Sequence, residues 1–339
     1  MKEFQLTAGA LFAGIGGFCL GFESVGIKTV WAVENDEDAT KTYLNNLKDV
    51  RVVCHDGRPA DIKKVGVVKD GLEPVDILHA GFPCQSFSIA GKRQGFNDER
   101  GKLFFEIIRI LNEFENKKPS VIVLENSPNL KNGDDGRWFF EVKKELQRAG
   151  YWFRDSNAQE LDTYELTNLP QKRNRLFLVA FLRERFKSGK FEFPHQTTNS
   201  AKNLSDYVNF TNELDDKSYY LDENNRYHKM ISNEVEDTSC IYQLRKYLVR
   251  VKDRNVCPTL TANMGAGGHN VPFIHDQRGL RKLTEYECLL IQGFPDWFRF
   301  PDDVSKSKRY MQVGNSVSVP IARLLAEKIK SKVLEDRKK

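Results

Sequence analysis

The sequence predicts an α/β fold in which helices flank a mostly parallel sheet, together with a smaller irregular domain. Short apolar runs alternate with amphipathic stretches over residues 1–180, as expected of strand–helix–strand units in a sheet buried on both faces. From about residue 183 the chain becomes rich in Asn, Asp, Ser, Thr and Tyr, and periodicity weakens. These two observations predict an ordered first part followed by a less regular one.

Five strands are predicted from their continuous apolar runs: Ala8–Phe12, Thr29–Val33, Val75–His79, Val121–Leu124 and Leu176–Phe181. Helical periodicity is found at Leu103–Phe114, Trp138–Ala149, Leu283–Gln292 and Val319–Val333. The last of these segments carries its apolar stripe through Ile321, Leu325 and Ile329. The order of strands and helices is typical of a doubly wound sheet.

Length and composition exclude several classes of protein. The 339 residues are 40% apolar and 29% charged, which is not typical of a disordered chain. No run of about 18 apolar residues is present, and the first residues lack a secretory signal, so we expect a cytoplasmic protein. The six cysteines are scattered and form no CxxC pair. We therefore expect neither a disulfide framework nor a metal site.

Charge is unevenly distributed along the chain. Residues 1–170 hold 22 basic and 26 acidic residues, and residues 171–339 hold 30 and 21, giving net charges of −4 and +9 and the total of +5. A polyanionic partner would prefer the second half. The alternative interpretation is a mildly basic protein without a nucleic-acid partner.

Chemically useful residues follow the predicted strands, where ligands bind in open α/β sheets. A glycine turn, 12–18, follows the first strand, and Glu34 follows the second. Such a turn admits a close ligand, and an acid about twenty residues later suits ribose hydroxyls. Cys19 replaces the third glycine of a dinucleotide fingerprint, which favours a nucleoside cofactor without a pyrophosphate. A structural turn without a ligand remains the alternative.

Cys84 follows Pro83 in a polar loop that carries Lys92 and Arg93. An exposed thiol beside cations favours the nucleophilic thiolate, whereas an isolated cysteine is more often a small buried hydrophobe. Glu125 ends an apolar strand, so it is a candidate proton donor or a salt-bridged acid.

Arg173 and Arg175 are two residues apart at the start of the fifth strand. Side chains alternate along a strand, which predicts that both guanidinium groups point to the same side. The alternative is a solvated basic face.

Six blocks in order make the chain resemble the bacterial-type cytosine-5 DNA methyltransferases. They span residues 11–17, 81–88, 125–126, 171–175, 281–295 and 312–317, with the sequences LFAGIGG, GFPCQSFS, EN, QKRNR, RKLT through QGFP, and QVGNSV. The resemblance covers about residues 1–181 and 281–330. It implies a Rossmann-like S-adenosylmethionine-dependent methyltransferase fold with a small target-recognition domain.

The same resemblance divides the chain by function. It implies a catalytic and cofactor-binding domain at 1–182 that is completed by 312–339. Residues 183–283 would form the target-recognition domain, and 284–311 would be a hinge that returns to the large domain.

The implied reaction transfers a methyl group from S-adenosylmethionine to C5 of a flipped-out cytosine in double-stranded DNA, leaving S-adenosylhomocysteine and using no metal. The implied catalytic residues are Cys84, which would bond to C6, with Glu125, Arg173 and Arg175. The implied cofactor-binding residues are Phe12, Gly14, Gly16, Gly17, Phe18, Glu34, Asp61, Pro83, Asn315 and Val317, with Asp56 as a rival to Asp61. The implied DNA contacts are Gln85, Ser88, Lys92, Thr259, Leu260 and Asn263.

The chain departs from the family pattern at Ala10, where an acid is frequent, and at Ser127. The resemblance implies a monomeric, nucleoid-associated modification enzyme with a cognate restriction endonuclease and no membrane partner. Two alternatives remain: a tRNA cytosine-5 methyltransferase of the same lineage, and a non-catalytic DNA-binding relative.

Overall fold

The structure is a computed structural model that describes residues 6–83, 101–195, 202–211, 213–245, 248–266 and 270–337. The chain divides into two compact units. Unit 1 comprises residues 1–161, 174–195 and 319–339, and unit 2 comprises residues 162–173 and 196–318. Each unit is described separately.

The central element of unit 1 is a twisted sheet of eight strands within the described residues. Its main path runs β3-β2-β1-β6-β7-β10-β8, and β9 pairs with β10. Its strands are β1 (Leu6–Leu11), β2 (Ile27–Val33), β3 (Arg51–Val52), β6 (Ile77–Gly81), β7 (Val121–Asn126), β8 (Tyr151–Trp152), β9 (Ala158–Asp162) and β10 (Asn174–Leu182). A separate two-stranded ribbon consists of β4 (Cys54–His55) and β5 (Arg58–Pro59).

The sheet is mostly parallel, as predicted. The neighbouring pairs from β3 to β7 are parallel, whereas β10 is antiparallel to both β7 and β8. Every residue of β7 is buried, which explains its continuous apolar run. All five predicted strands are present, with ends that differ by a few residues.

Helices cover this sheet. They are α1 (Gly17–Glu23), α2 (Glu37–Asn46), α3 (Leu103–Glu113), α4 (Asn129–Asn132), α5 (Arg137–Arg148) and α10 (Val319–Arg337), with short 3₁₀ helices at Ile62–Lys64, Glu115–Lys117, Gly133–Gly136 and Asp155–Asn157. The C-terminal α10 packs closely on α1: a side chain at Gly21 would place its Cβ 2.6 Å from that of Ala322. The last helix therefore belongs to the first unit despite its distance in sequence.

Unit 2 contains a small antiparallel sheet with strand order β12-β11-β13-β14. Its strands are β11 (Tyr242–Leu244), β12 (Val249–Val251), β13 (Val271–His275) and β14 (Leu280–Lys282). Its helices are α6 (Thr163–Leu166), α7 (Arg226–Ser232), α8 (Glu285–Ile291) and α9 (Lys306–Asn315), with 3₁₀ turns at Leu204–Asp206, Lys217–Tyr219 and Met264–Ala266.

A buried ionic cluster fixes unit 2 around Arg281. Its Nε donates to Asp276 at 2.8 Å, its two terminal nitrogens donate to Glu287 at 2.8 Å, and one of these also reaches the carbonyl of Asn209. The guanidinium is fully buried, so these acceptors offset the cost of removing its charge from water. Among the described residues, no helix is long and apolar enough to cross a membrane.

Candidate active site

The glycine turn after β1 has a backbone that few residues other than glycine adopt. Phe12, Gly14 and Gly16 have φ values of 54°, 56° and 90°. A Cβ at Gly14 would meet nothing within 4 Å, whereas one at Gly16 would lie 2.5 Å from Leu47. Gly14 therefore leaves open space beside the backbone, and Gly16 permits the turn to pack against α2. Gly17 follows as the first residue of α1.

Glu34 fixes this turn from the end of β2. Its Oε2 accepts from the backbone N–H of Gly14 at 2.7 Å, and its Oε1 accepts from Asn35 and Asp36 at 2.9 Å each. Burial raises the pKa of Glu34, while the three backbone donors oppose that shift. The carboxylate thus connects the ends of β1 and β2 and lies beside the open space at Gly14.

Phe18 lies behind the turn on an aromatic cluster. Its ring, 7% exposed, stacks on His79 with centroids 5.0 Å apart. Burial lowers the pKa of His79 to about 3 and raises that of Cys19 to about 12. The Cys19 sulfur accepts from the Tyr43 hydroxyl at 3.1 Å. Cys19 is therefore an inert interior thiol, so the residue that replaces the third glycine serves packing.

Glu125 and Arg175 form an ion pair where β7 ends and the antiparallel β10 begins. Arg175 Nε lies 3.1 Å from Glu125 Oε1, and Glu125 is 9% exposed. Gly81 is the register partner of Glu125 on β6. A Cβ at Gly81 would lie 3.5 Å from Glu125 Oε2, so the glycine leaves room beside that oxygen.

The chain leaving β6 is held by Asn126, whose Nδ2 donates to the carbonyl of Phe82 at 3.1 Å. Pro83, partly buried, is the last described residue after β6. Four predicted site residues, Cys84, Gln85, Ser88 and Lys92, lie outside the described residues. In the sequence, Cys84 follows Pro83 directly, three positions after Gly81.

The two acids considered for the adenine end of a cofactor occupy different local structures. Asp61 is partly buried and caps the 3₁₀ helix Ile62–Lys64, because its Oδ1 accepts from the N–H of Lys63 at 3.0 Å. Asp56 lies in the turn between β4 and β5 with a φ of 51°. The assignment to Asp61 stays a prediction.

Arg173 has different surroundings from Arg175. It precedes β10, so the strand alternation that predicted a shared side does not apply to it. Its guanidinium, 2% exposed, donates to the carbonyls of Leu260, Gly314 and Ser316 at 2.8, 3.1 and 2.7 Å. Arg173 thereby joins three sections of unit 2 through backbone acceptors.

Glutamines complete the same buried network. Gln171 Nε2 donates to Gln292 Oε1 at 2.8 Å, and Gln292 Nε2 donates to the carbonyl of Ser316 at 2.6 Å. A Cβ at Gly314 would lie 2.2 Å from the backbone of Thr261. Residues from three of the six sequence blocks, namely Arg173, Gln292 and Gly314, therefore meet residues 260–261 within unit 2. The structural roles of these glutamines were not predicted from the sequence; amide side chains repeated across several motif blocks were the available signal.

The remaining predicted residues of unit 2 differ in exposure. Asn315 is exposed at the end of α9, and Val317 is buried. Thr259 donates its hydroxyl to the carbonyl of Lys172 at 2.6 Å, and Asn263 is exposed. The side chain of Leu260 is 1% exposed, so we expect it to hold its loop rather than to touch DNA. Within the described ranges, no cluster of three or more His, Cys, Asp or Glu residues could hold a metal.

Comparison with known proteins places the chain in one family. A sequence profile described as C-5 cytosine-specific DNA methylase matches residues 6–331. Type II methyltransferase M.Bsp6I of Bacillus sp. (strain RFL6) is 40% identical over 97% of this chain and 100% of its own length. Type II methyltransferase M.HhaI of Haemophilus parahaemolyticus is 33% identical over 98% and 97%.

A solved structure supports the fold independently. The Entamoeba histolytica methyltransferase EhMeth has a TM-score of 0.74 and 21% identity, covering 98% of this chain and 99% of its own. At that identity the match establishes the fold, which is that of the Rossmann-like methyltransferases. With the profile match and the relatives above, it follows that the chain belongs to the C-5 cytosine-specific DNA methylase family.

Proposed function

We propose that this protein is an S-adenosylmethionine-dependent DNA (cytosine-5)-methyltransferase that modifies a specific duplex sequence within a restriction–modification system. The observation that carries the proposal is the Glu125–Arg175 pair, 3.1 Å apart beside Gly81 at the carboxyl ends of β6 and β7. This is the edge of the sheet where α/β enzymes bind substrates. The pair presents a carboxyl group and a guanidinium to one ligand edge.

The residues of unit 1 fit the adenosine part of the cofactor. The open backbone at Gly14 allows close approach, and Glu34 is suited to accept hydrogen bonds from ribose hydroxyls. Phe12 and Phe18 supply apolar contact, and Asp61 is suited to the adenine amino group. When bound, S-adenosylmethionine supplies an electrophilic methyl group on a sulfonium and leaves as S-adenosylhomocysteine.

The protein's own residues would make the target carbon nucleophilic. The Cys84 thiolate attacks C6 of cytosine, a C–S bond forms, and the electron pair of the C5–C6 bond moves toward C5 and the N3–O2 side. Glu125 binds the N3 and N4 edge, and Arg175 binds O2. Preorganised groups of this kind each contribute about 3 kcal/mol to transition-state stabilisation.

After C5 gains the methyl group, a base removes the C5 proton. The released electron pair restores the C5–C6 double bond and expels the Cys84 thiolate. A cytosine stacked in a duplex cannot reach these groups, so the base leaves the stack at a cost of about a few kcal/mol. Arg173 would act as a positioning residue, because its buried contacts go to backbone carbonyls.

Trapping with 5-fluorocytosine tests this proposal. Fluorine at C5 prevents proton removal, so the wild-type protein with S-adenosylmethionine should form an adduct with duplex DNA that survives denaturing electrophoresis. Cys84→Ser should form none, while Cys54→Ser, which alters an exposed thiol, should form as much as wild type. Adduct formation by Cys84→Ser would refute the assigned nucleophile.

The alternatives predict different outcomes in a parallel assay with radiolabelled methyl donor. Methyl transfer to tRNA but not to random-sequence duplex DNA would overturn the assignment of DNA as substrate. Binding of duplex DNA without transfer to either would indicate a non-catalytic relative. We also propose that the enzyme acts as a monomer in the bacterial cytoplasm, so light scattering should give about the chain mass of 39.1 kDa.

A further inference from the structure

A buried imidazole in unit 1 is not used by the proposed reaction. His79 is the third residue of β6, is 1% exposed, and pairs in register with Ala10 of β1 and Val123 of β7. Strands buried at the centre of a parallel sheet usually carry apolar side chains at such positions. Burying a polar ring there costs free energy, so the contacts of His79 must offset that cost.

The imidazole faces α1, because side chains alternate along a strand. Leu78 and Ala80 join the apolar core cluster that includes residues of α3 and α5, so His79 points to the opposite face of the sheet. There its ring stacks on Phe18, with centroids 5.0 Å apart and an interplanar angle of 26°. The imidazole also contacts the ring of Phe22, at 5.1 Å between centroids. The Phe18 ring therefore packs almost flat against the imidazole.

The edge of the imidazole is held by residues of α1 and α2. His79 Nε2 lies 3.9 Å from Cys19 Sγ, and the Tyr43 hydroxyl donates to the same sulfur at 3.1 Å. Burial lowers the pKa of His79 to about 3, so the ring is neutral at physiological pH and contributes packing rather than charge. The imidazole is thus restrained both on its face and at its edge.

Phe18 connects this buried group to both parts of the site in unit 1. It is the second residue of α1 and directly follows Gly16 and Gly17 of the glycine turn. A Cβ at Gly81 would lie 4.0 Å from Cε2 of Phe18 and 3.5 Å from Oε2 of Glu125. The orientation of this one ring therefore affects the turn that would hold the cofactor and the space beside Glu125.

We propose that His79 is a positioning residue that holds the Phe18 ring in the orientation that binds S-adenosylmethionine. The inference rests on the proposed function, since it takes Phe18 as part of the cofactor pocket. Stacked rings attract one another beyond the effect of the area they bury. Without the imidazole, the Phe18 ring would populate further orientations. The apparent affinity for the cofactor would then fall with the fraction of protein in the binding orientation.

Calorimetric titration with S-adenosylhomocysteine, in the absence of DNA, tests the inference through binding rather than activity. His79→Asn removes the aromatic ring and should weaken binding by about three- to tenfold. His79→Leu, which places an apolar side chain in the buried position, should show the same loss, so the test does not depend on the folding of one variant.

Phe114→Leu is the matched control for a general loss of stability. The Phe114 ring is 3% exposed and stacks on Trp31 with centroids 6.3 Å apart, within the core cluster on the opposite face of the sheet. This variant should have a lower melting temperature but the wild-type affinity for S-adenosylhomocysteine. An equal loss of affinity in Phe114→Leu and His79→Asn would overturn the inference.

A double-mutant cycle shows whether His79 acts through Phe18. Phe18→Leu alone should weaken binding, and adding His79→Asn should weaken it no further, because the ring that His79 orients is then absent. Losses that add in the double variant would overturn the inference. Wild-type affinity in Phe18→Leu, or in both His79 variants, would overturn it as well.

Methyl transfer is measured on the same proteins, so that the two proposals fail separately. Binding by the wild type together with unchanged affinity in the His79 variants would refute this inference alone. The expected losses of affinity, with no methyl transfer to duplex DNA by the wild type, would refute only the proposed reaction. Failure of the wild type to bind S-adenosylhomocysteine would refute both.

Discussion

Arg175 Nε lies 3.1 Å from Oε1 of Glu125, and both side chains are mostly buried, at 19% and 12% exposure. A buried ion pair must compensate for the hydration that both charges lose. Removing either partner therefore destabilises the protein, because the other charge stays buried. The contact joins adjacent antiparallel strands, which restricts the geometry of both groups. The Glu125–Arg175 pair therefore contributes both to the stability of the β7–β10 contact and to the proposed reaction.

Arg175→Ala should reduce both activity and stability. We expect methyl transfer in a single turnover to fall by about 10²–10³-fold, as for loss of one preorganised charge-stabilising group. The free energy of unfolding should fall by about 1–3 kcal/mol, because Glu125 loses its buried partner. Arg137→Ala is the matched control, since its pair with Asp134 is largely exposed and is worth about 0–1 kcal/mol. A rate equal to wild type would contradict the assigned role.

Gly81→Ala should separate activity from stability. The added Cβ would lie 3.5 Å from Glu125 Oε2, an ordinary contact, so unfolding should change by less than about 1 kcal/mol. The methyl group would nevertheless occupy the space beside that oxygen, and we expect at least a tenfold slower transfer in single-turnover kinetics. Gly9→Ala gives the contrast, because its Cβ would lie 2.2 Å from the Trp31 ring and should destabilise the fold. Unchanged transfer by Gly81→Ala would show that the space is not used.

Sequence predicted the large sheet because its long strands are buried on both faces. The small sheet of unit 2 was not recognised, since its strands have only three to five residues. Alternation over three residues is too short to distinguish from a loop.

The positions of some site residues could be predicted from the sequence, whereas those of others could not. Glu34, Glu125 and Arg175 follow or begin strands, so their approximate place could be derived from the strand order. The different surroundings of Arg173 could not, because they depend on where β10 begins and on carbonyls 87 to 143 residues away in sequence. Long-range contacts of backbone atoms leave no periodic signal.

Arg173→Lys should destabilise unit 2 while leaving the Glu125–Arg175 pair intact. The guanidinium satisfies three carbonyls, and an ammonium in its place is expected to satisfy one. Two lost charge-assisted hydrogen bonds correspond to about 3 kcal/mol of unfolding free energy. Urea denaturation measures this loss, and Lys172→Arg, next to it in sequence and exposed, is the control. If Arg173 touched the reacting base instead, the variant would be stable and slow, with a normal urea midpoint.

His79 should make the fold sensitive to acid. Its pKa is about 3 in the folded protein because of burial, against 6.5 for the ordinary group. Below pH 6.5, His79 therefore binds a proton in the unfolded chain but stays neutral in the folded chain until the pH approaches 3. The contribution of neutral His79 to the free energy of unfolding is fully present above pH 6.5. It is lost as the pH falls toward 3, at about 1.4 kcal/mol per pH unit.

Urea denaturation of wild type and His79→Asn from pH 7.5 to 4.5 measures this contribution. The variant has no imidazole to protonate, so its stability should fall less steeply below pH 6.5, and the two curves should converge as the solution becomes more acidic. Phe18 and Phe22 pack on the imidazole, so the variant should also be less stable at pH 7.5. If the stability curves of the two proteins ran parallel across the whole pH range, the fold would not lower the pKa of His79.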